Sequence, residues 1–82
     1  MTIRERVMLR QALLEDLYEY HFEKGGDALL IEDFNENVEQ RLAYLYLFEK
    51  GYADLFIDEN GANVGIRAAG IELVEAGRIK IH

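Results

Sequence analysis

The sequence predicts a small α+β domain, because it combines two helical segments with a later hairpin segment. Two long stretches have the 3.6-residue apolar spacing of helices, whereas the stretch around Asn60-Gly61 alternates apolar and polar residues as a strand pair does. The chain has 82 residues, half of them hydrophobic and 30% charged, which is a globular composition. A chain of this length has room for one core, so residues 1–82 are predicted to form a single domain.

Residues 2–24 are predicted to form the first helix. Thr2 and Glu5 have the spacing of a capping box, and Gly25-Gly26 stands where helices commonly end. The apolar residues spread over more than half of the helix circumference, which exceeds the stripe of a helix on a single core. Two explanations fit: the domain itself wraps the helix on both sides, or a second chain packs against it. The second explanation predicts a homodimer with a face formed by Leu9, Leu13 and Tyr20.

Residues 28–33 are short and apolar, and their pattern fits a helical turn as well as a strand. A second helix is predicted to follow, capped by Asn35 or Asn37 and running to Lys50, with Gly51 as its stop. One face of this helix carries Val38, Leu42 and Leu45. Its outer face is predicted to be formed by Glu36, Glu39, Gln40, Ala43, Tyr44 and Leu47.

After Gly51 the apolar period changes from helical to alternating. Residues 52–58 and 64–66 are predicted to be two strands joined at Asn60-Gly61, because this pair tolerates the positive φ of tight hairpin turns. A short helix is predicted over 69–76, ending at Gly77. The alternation over 78–82 also allows a terminal strand.

The segment from Ala43 to Tyr52 resembles the end of a recognition helix in winged-helix domains, where a Lys-Gly turn leads into the first wing strand. Residues 53–67 are similar to the wing hairpin, and 68–75 resemble the segment that follows the wing in many bacterial regulators. The resemblance covers 28–77 and implies a winged-helix-like fold. It implies no single function, since this fold serves DNA-binding proteins, protein adaptors and phage proteins alike.

The predicted outer face of the second helix carries tyrosine and aliphatic residues where a base-reading helix would carry cations. Uncharged, tyrosine-rich surface is typical of protein interfaces. We therefore predict a non-catalytic module for protein–protein interaction or homodimerisation, with a candidate interface formed by Ala43, Tyr44, Tyr46 and Leu47. The competing interpretation is that these residues belong to the core.

The charge distribution disfavours nucleic acid as the partner. Residues 15–75 carry fifteen acidic and four basic side chains, a net charge of −11, and the two ends carry +4. An acidic body repels phosphates, although acidity also serves solubility. The alternative function is a DNA-binding transcriptional regulator, and a third is an acidic DNA mimic. Under the DNA-binding alternative, the contacts would come from Arg4, Arg6, Arg10, Asn37, Gln40 and Arg41.

The residue types leave little material for catalysis or metal binding. The chain has no Ser or Cys, and its one Thr is the predicted cap Thr2, so serine- and cysteine-based nucleophilic sites are excluded. His21 is interpreted as a surface or part-buried structural residue, and His82 is the last residue of the sequence. We predict no enzyme activity, cofactor, metal or small-molecule substrate. No apolar run approaches the length of a membrane span, so a cytoplasmic protein is expected.

Overall fold

The computed structural model describes residues 1–81, with side chains described for residues 1–77. It confirms the predicted α+β class, with three helices and three strands over these residues. In chain order the elements are α1 (Ile3–Glu23), β1 (Leu29–Ile31), α2 (Val38–Glu49), β2 (Ala53–Asp58), β3 (Gly61–Ile66) and α3 (Ala68–Ile81).

Both ends of α1 are set by local side-chain and glycine chemistry. The Thr2 hydroxyl accepts a hydrogen bond from the Glu5 amide at 3.1 Å, and the Glu5 carboxylate accepts one from the Thr2 amide at 2.9 Å. This reciprocal pair is the predicted capping box. At the other end Gly25 and Gly26 both have positive φ, and the Gly26 amide donates to the carbonyl of His21 at 2.7 Å. The helix therefore ends where the sequence predicts.

The second helix is capped by Asn37, whose side-chain oxygen accepts a hydrogen bond from the Gln40 amide at 3.1 Å. It ends in a Schellman motif, because the Tyr52 amide donates to the carbonyl of Leu47 and the Gly51 amide donates to that of Phe48. Gly51 has a φ of +78°, which a residue with a Cβ adopts only with strain. The prediction of the helix end at Gly51 is confirmed.

The three strands form an antiparallel sheet in the order β1-β3-β2. Residues 29–31 pair with 62–64, which settles the open question about 28–33 in favour of a strand. The predicted hairpin is confirmed, with Asp58 opposite Gly61. Its turn differs in detail from the prediction. Gly61 has a φ of +128°, whereas Asn60 keeps a negative φ and donates its amide to the Asp58 carboxylate at 2.8 Å.

The predicted C-terminal helix is confirmed, but it does not end at Gly77, and the possible strand after it is not formed over residues 78–81. Helix α3 continues through Gly77 to residue 81, so residues 78–81 are helical, and His82 lies outside the described residues. A helix can cross a glycine at a modest cost when nothing else breaks it, and no proline follows here. Near the start of α3, Gly70 lies so close to the carbonyl of Tyr52 that an added Cβ would stand 2.3 Å from its oxygen.

The core lies between the inner face of the sheet and the helices. Helix α1 contacts α2, α3 and β3, and α2 also contacts β2. The largest fully buried side chains are Tyr44 and Phe34, whose rings lie 6.4 Å apart, together with Leu17 and Val64. The other buried members are Leu13, Leu14, Ile31, Ala43, Leu47, Ala53, Ala62, Ile66 and Val74.

Candidate interaction surface

Helix α2 is rotated about its axis relative to the sequence prediction. Ala43, Tyr44 and Leu47, predicted on its outer face, are at least 95% buried and belong to the core. They therefore cannot form the exposed interface that the sequence suggested, and the competing core interpretation holds for all three. Of the four candidate interface residues, only Tyr46 remains exposed, at 38%.

The outward side of α2 carries different apolar residues. Val38 and Leu42 are each 53% exposed, and Tyr46 follows at the same four-residue spacing. Residues four apart on a helix lie one above the other, so these three form a stripe along the helix. We call Val38, Leu42 and Tyr46 the α2 stripe. Leu45 lies beside it and is half-buried.

Sequence reasoning missed Val38 and Leu42 because the helix has two apolar faces. The face of Val38, Leu42 and Leu45 also carries Arg41 and Glu49, and the face of Ala43, Tyr44 and Leu47 carries Glu36 and Glu39 near its start. The placement of charge therefore does not distinguish the two faces.

The predicted dimer face on α1 is largely occupied by the protein's own core. Leu13 is 8% exposed and belongs to the core cluster, and Leu9 packs partly against that cluster. Tyr20 is half-buried. The wide apolar arc of α1 is thus explained in part by contacts with α2, α3 and β3, which was the first of the two explanations.

Two depressions flank the α2 stripe, each with a volume of about 200 Å³. One lies against α1 and is lined by Leu9, Leu42 and Tyr46 together with the charged residues Arg6 and Glu39. The other extends towards α3 and is lined by Val7, Arg10, Gln11, Leu14, Tyr46, Leu47, Tyr52 and Leu73. Val7 and Leu73 in the second depression are each more than 40% exposed, so apolar surface continues from α2 onto α1 and α3.

Arg10 and Tyr46 separate these two depressions. The Arg10 guanidinium carbon lies 4.1 Å from the centre of the Tyr46 ring, within the range of a cation–π contact. The ammonium of Lys50 lies 5.9 Å from the same ring. Tyrosine and arginine are over-represented among residues that contribute strongly to protein–protein binding. The middle of this surface therefore has a residue pair suited to anchoring a partner.

The residues predicted for nucleic-acid contact are mostly committed to contacts within the chain. Arg6 donates two hydrogen bonds to the Glu39 carboxylate, both at 3.2 Å, and this pairing raises the pKa of Arg6 and lowers that of Glu39. Asn37 caps α2, and Arg41 donates to the carbonyl of Asn35 at 3.3 Å.

The other three predicted nucleic-acid contacts differ from one another. Arg10 lies on the ring of Tyr46. Gln40 is half-buried, and its side-chain oxygen lacks a hydrogen-bond partner among the residues that the structure describes. Arg4 is exposed on α1. The structure thus gathers Arg6 and Arg10 next to α2, but it does not bring the six residues into one cationic surface.

The hairpin does not supply cationic surface either. Its outer face carries Asp54, which lies 3.6 Å from Arg67, and its turn carries Asp58 and Glu59. Two exposed apolar side chains, Leu30 and Phe56, stand on either side of Asn63 across the sheet. They form a second exposed apolar spot, beside a depression of about 460 Å³ that Phe56 and Asp54 also line.

Among the side chains described for residues 1–77, no group of three or more His, Cys, Asp or Glu is placed to hold a metal ion. His21 packs edge-on against Phe22, with ring centres 5.0 Å apart. Within the same residues, no helix is apolar and long enough to span a membrane.

Comparison of the chain with protein-family models, with curated proteins and with solved structures gave no match.

Proposed function

We propose that the chain is a non-catalytic, winged-helix-like module that binds another polypeptide through the outward side of α2. The observation that carries the proposal is the α2 stripe, in which three large apolar side chains stand exposed where a DNA-binding helix would present cations. Exposed apolar surface that is continuous over several elements is typical of protein interaction sites.

The winged-helix-like assignment is supported by the order of the elements. A helix, a short strand, a second helix and a hairpin follow each other, and the first strand pairs with the far strand of the hairpin. One feature departs from a helix-turn-helix, in which two helices flank a short turn. Here β1 and a run of turns at residues 32–36 lie between α1 and α2. This departure removes the helix that would cross the DNA backbone next to a reading helix.

The surface favours a partner that is mainly apolar with an acidic margin. Apolar side chains of the partner fit the depressions on either side of the Arg10–Tyr46 contact. Arg10 and Lys50 both lie at the Tyr46 end of the α2 stripe, where a carboxylate of the partner would be stabilised. Opposite charges at the rim of an interface mainly set orientation and association rate, whereas the apolar centre contributes most of the affinity.

Selection from a library of random peptides, using the immobilised chain as bait, tests the proposal. Enriched peptides should be apolar with acidic residues, and their binding should be lost in Leu42→Glu. The matched control is Phe56→Glu, which places the same charge at a 66% exposed apolar position on the sheet and should leave binding unchanged. Peptides that bind Leu42→Glu as tightly as the unsubstituted chain would refute the proposal.

A parallel titration with duplex DNA tests the regulator alternative. We expect no binding at about 50 mM salt, because few basic side chains near α2 remain free to neutralise phosphates. Binding that weakens steeply with salt, together with chemical-shift changes on α2 and the hairpin, would instead support a DNA-binding regulator.

A further inference from the structure

We propose that a second copy of this chain is the polypeptide that binds the α2 stripe, through antiparallel packing of the two α2 helices about a twofold axis at Leu42. This inference rests on the proposed function and names its partner. It differs from the dimer predicted from the sequence, which used Leu9, Leu13 and Tyr20 of α1.

The spacing of the α2 stripe is self-complementary. Val38 and Tyr46 lie four residues before and after Leu42, about 6 Å away along the axis on each side. Reversing the direction of the second helix about Leu42 therefore places Val38 of each copy against Tyr46 of the other, with the two Leu42 side chains in contact. A twofold interface needs this kind of self-matching surface, because the same patch must serve on both sides.

The charges at the two ends of α2 favour the same antiparallel orientation. The end near Val38 carries the acidic residues Asp33, Glu36 and Glu39, which are balanced by Arg6, Arg41 and the N-terminal ammonium acting on Glu39. The end near Tyr46 carries Arg10 and Lys50 against Glu49, so it keeps an excess of one positive charge. A parallel arrangement would bring the two positive ends together, whereas antiparallel packing places each of them near the acidic residues of the other copy.

The area available predicts a weak, concentration-dependent dimer. A standard interface buries about 800 Å² on each partner, which would be roughly one seventh of the accessible surface of this chain, 5659 Å². Helix α2 has 12 residues and is therefore about 18 Å long. Two such helices bury less than a standard interface even with the flanking parts of α1, which places the dimer in the class of small, transient interfaces.

Sedimentation equilibrium of the whole chain tests self-association. We expect a reversible monomer–dimer equilibrium with a Kd on the order of 10 to 100 μM, as befits an interface below standard size. Leu42→Glu should be monomeric at every concentration, and Phe56→Glu should associate like the unsubstituted chain. Unfolding midpoints of both variants confirm that the fold is retained, because both positions are more than half exposed. A chain that is still monomeric at about 1 mM would overturn the inference.

A charge exchange tests the antiparallel orientation. Glu36→Lys and Lys50→Glu each create two like-charge contacts in the homodimer, so each variant alone should associate about tenfold more weakly. In an equimolar mixture, one Glu36→Lys chain and one Lys50→Glu chain satisfy both contacts, and association should return to the affinity of the unsubstituted chain. Failure of the mixture to recover would overturn the antiparallel arrangement.

The two proposals fail separately. A chain that stays monomeric but still binds selected peptides in a Leu42-dependent manner would overturn the self-association and leave the interaction module standing. A chain that dimerises equally well with Leu42→Glu, and whose peptide binding also ignores this substitution, would remove both.

Discussion

The substitution of leucine by alanine at Leu42 and at Leu47 of α2 should have different effects on stability, and the comparison tests which face of the helix is buried. Leu47 is 3% exposed and packs in the core, whereas Leu42 is 53% exposed in the α2 stripe. Leu47→Ala and Leu42→Ala change helix propensity by the same amount, so any difference in stability reports burial. Truncating a buried leucine to alanine costs about 2 to 5 kcal/mol, and at a half-exposed site, where no cavity forms, the cost is about 1 kcal/mol.

The difference is large relative to the expected stability of the chain. A domain of 82 residues is stable by about 4 to 12 kcal/mol, so Leu47→Ala removes a substantial part of that stability. Urea unfolding followed by far-ultraviolet circular dichroism measures both variants, and the lowest usable protein concentration removes any contribution from self-association. Leu47→Ala should shift the midpoint strongly while the slope stays unchanged. Equal costs for the two variants, or a larger cost for Leu42→Ala, would show that the rotation of α2 is wrong.

Three further predictions concern the helices and the ionisable groups. Gly70→Ala should destabilise the chain, because its Cβ would stand 2.3 Å from the carbonyl oxygen of Tyr52. Gly77→Ala has no atom within 4 Å of its Cβ and should stabilise α3 by up to about 1 kcal/mol. Thermal unfolding compares the two variants, and equal effects would contradict the close packing at Gly70. Burial raises the pKa of Tyr44 from 10.0 to about 12, so the contribution of this residue to stability should be constant below pH 10 and fall as the pH rises towards 12. A Tyr44→Phe variant that loses the same stability over this pH range would show that Tyr44 is not the group responsible. The hydrogen bonds from Arg6 lower the pKa of Glu39 from 4.5, so the stability that this pair contributes is present above pH 4.5 and is lost as the pH falls through the lowered pKa of the folded state. Below pH 4.5, the unfolding midpoint should fall more steeply for the unsubstituted chain than for Glu39→Gln. Parallel pH curves for the two chains would show that the ion pair contributes nothing.

The features that the sequence predicts well are those decided by a few neighbouring residues. The capping box of Thr2 and Glu5, the cap at Asn37 and the helix end at Gly51 all depend on backbone amides and carbonyls within one turn. The hairpin at Asp58 to Gly61 depends on a turn of similar size. Local hydrogen bonding and glycine conformation therefore fix most of the element boundaries.

The features that the sequence did not predict depend on packing between distant elements. The rotation of α2 is decided by what Tyr44 and Leu47 meet, including the ring of Phe34, and the helix pattern alone supplies two apolar faces. The sequence predicts Tyr46 among the interface residues, but it places Val38 and Leu42 on a different face from Ala43, Tyr44 and Leu47. Residues 78–81 were ambiguous because a short alternating run of apolar residues fits a helix as well as a strand.

Apolar residues lie on the outer face of α2, but they are not the residues that the sequence suggests. The outer face predicted from sequence comprises Ala43, Tyr44 and Leu47 with Glu36, Glu39 and Gln40, and the exposed apolar residues in the structure are Val38, Leu42 and Tyr46. Both sets contain large apolar side chains, since α2 is rich in aliphatic and aromatic residues on most of its circumference. The rotation of α2 therefore changes which residues are available for contact, and neither set presents the cations typical of a base-reading helix.

Backbone amide NMR spectra over a dilution series report whether the outward side of α2 is an association surface. We predict concentration-dependent shifts centred on Val38, Leu42 and Tyr46, and no shifts on the sheet around Phe56. Spectra in which the α2 signals do not respond to dilution or to selected peptides, but shift together with those of the hairpin when duplex DNA is added, would contradict this role of α2.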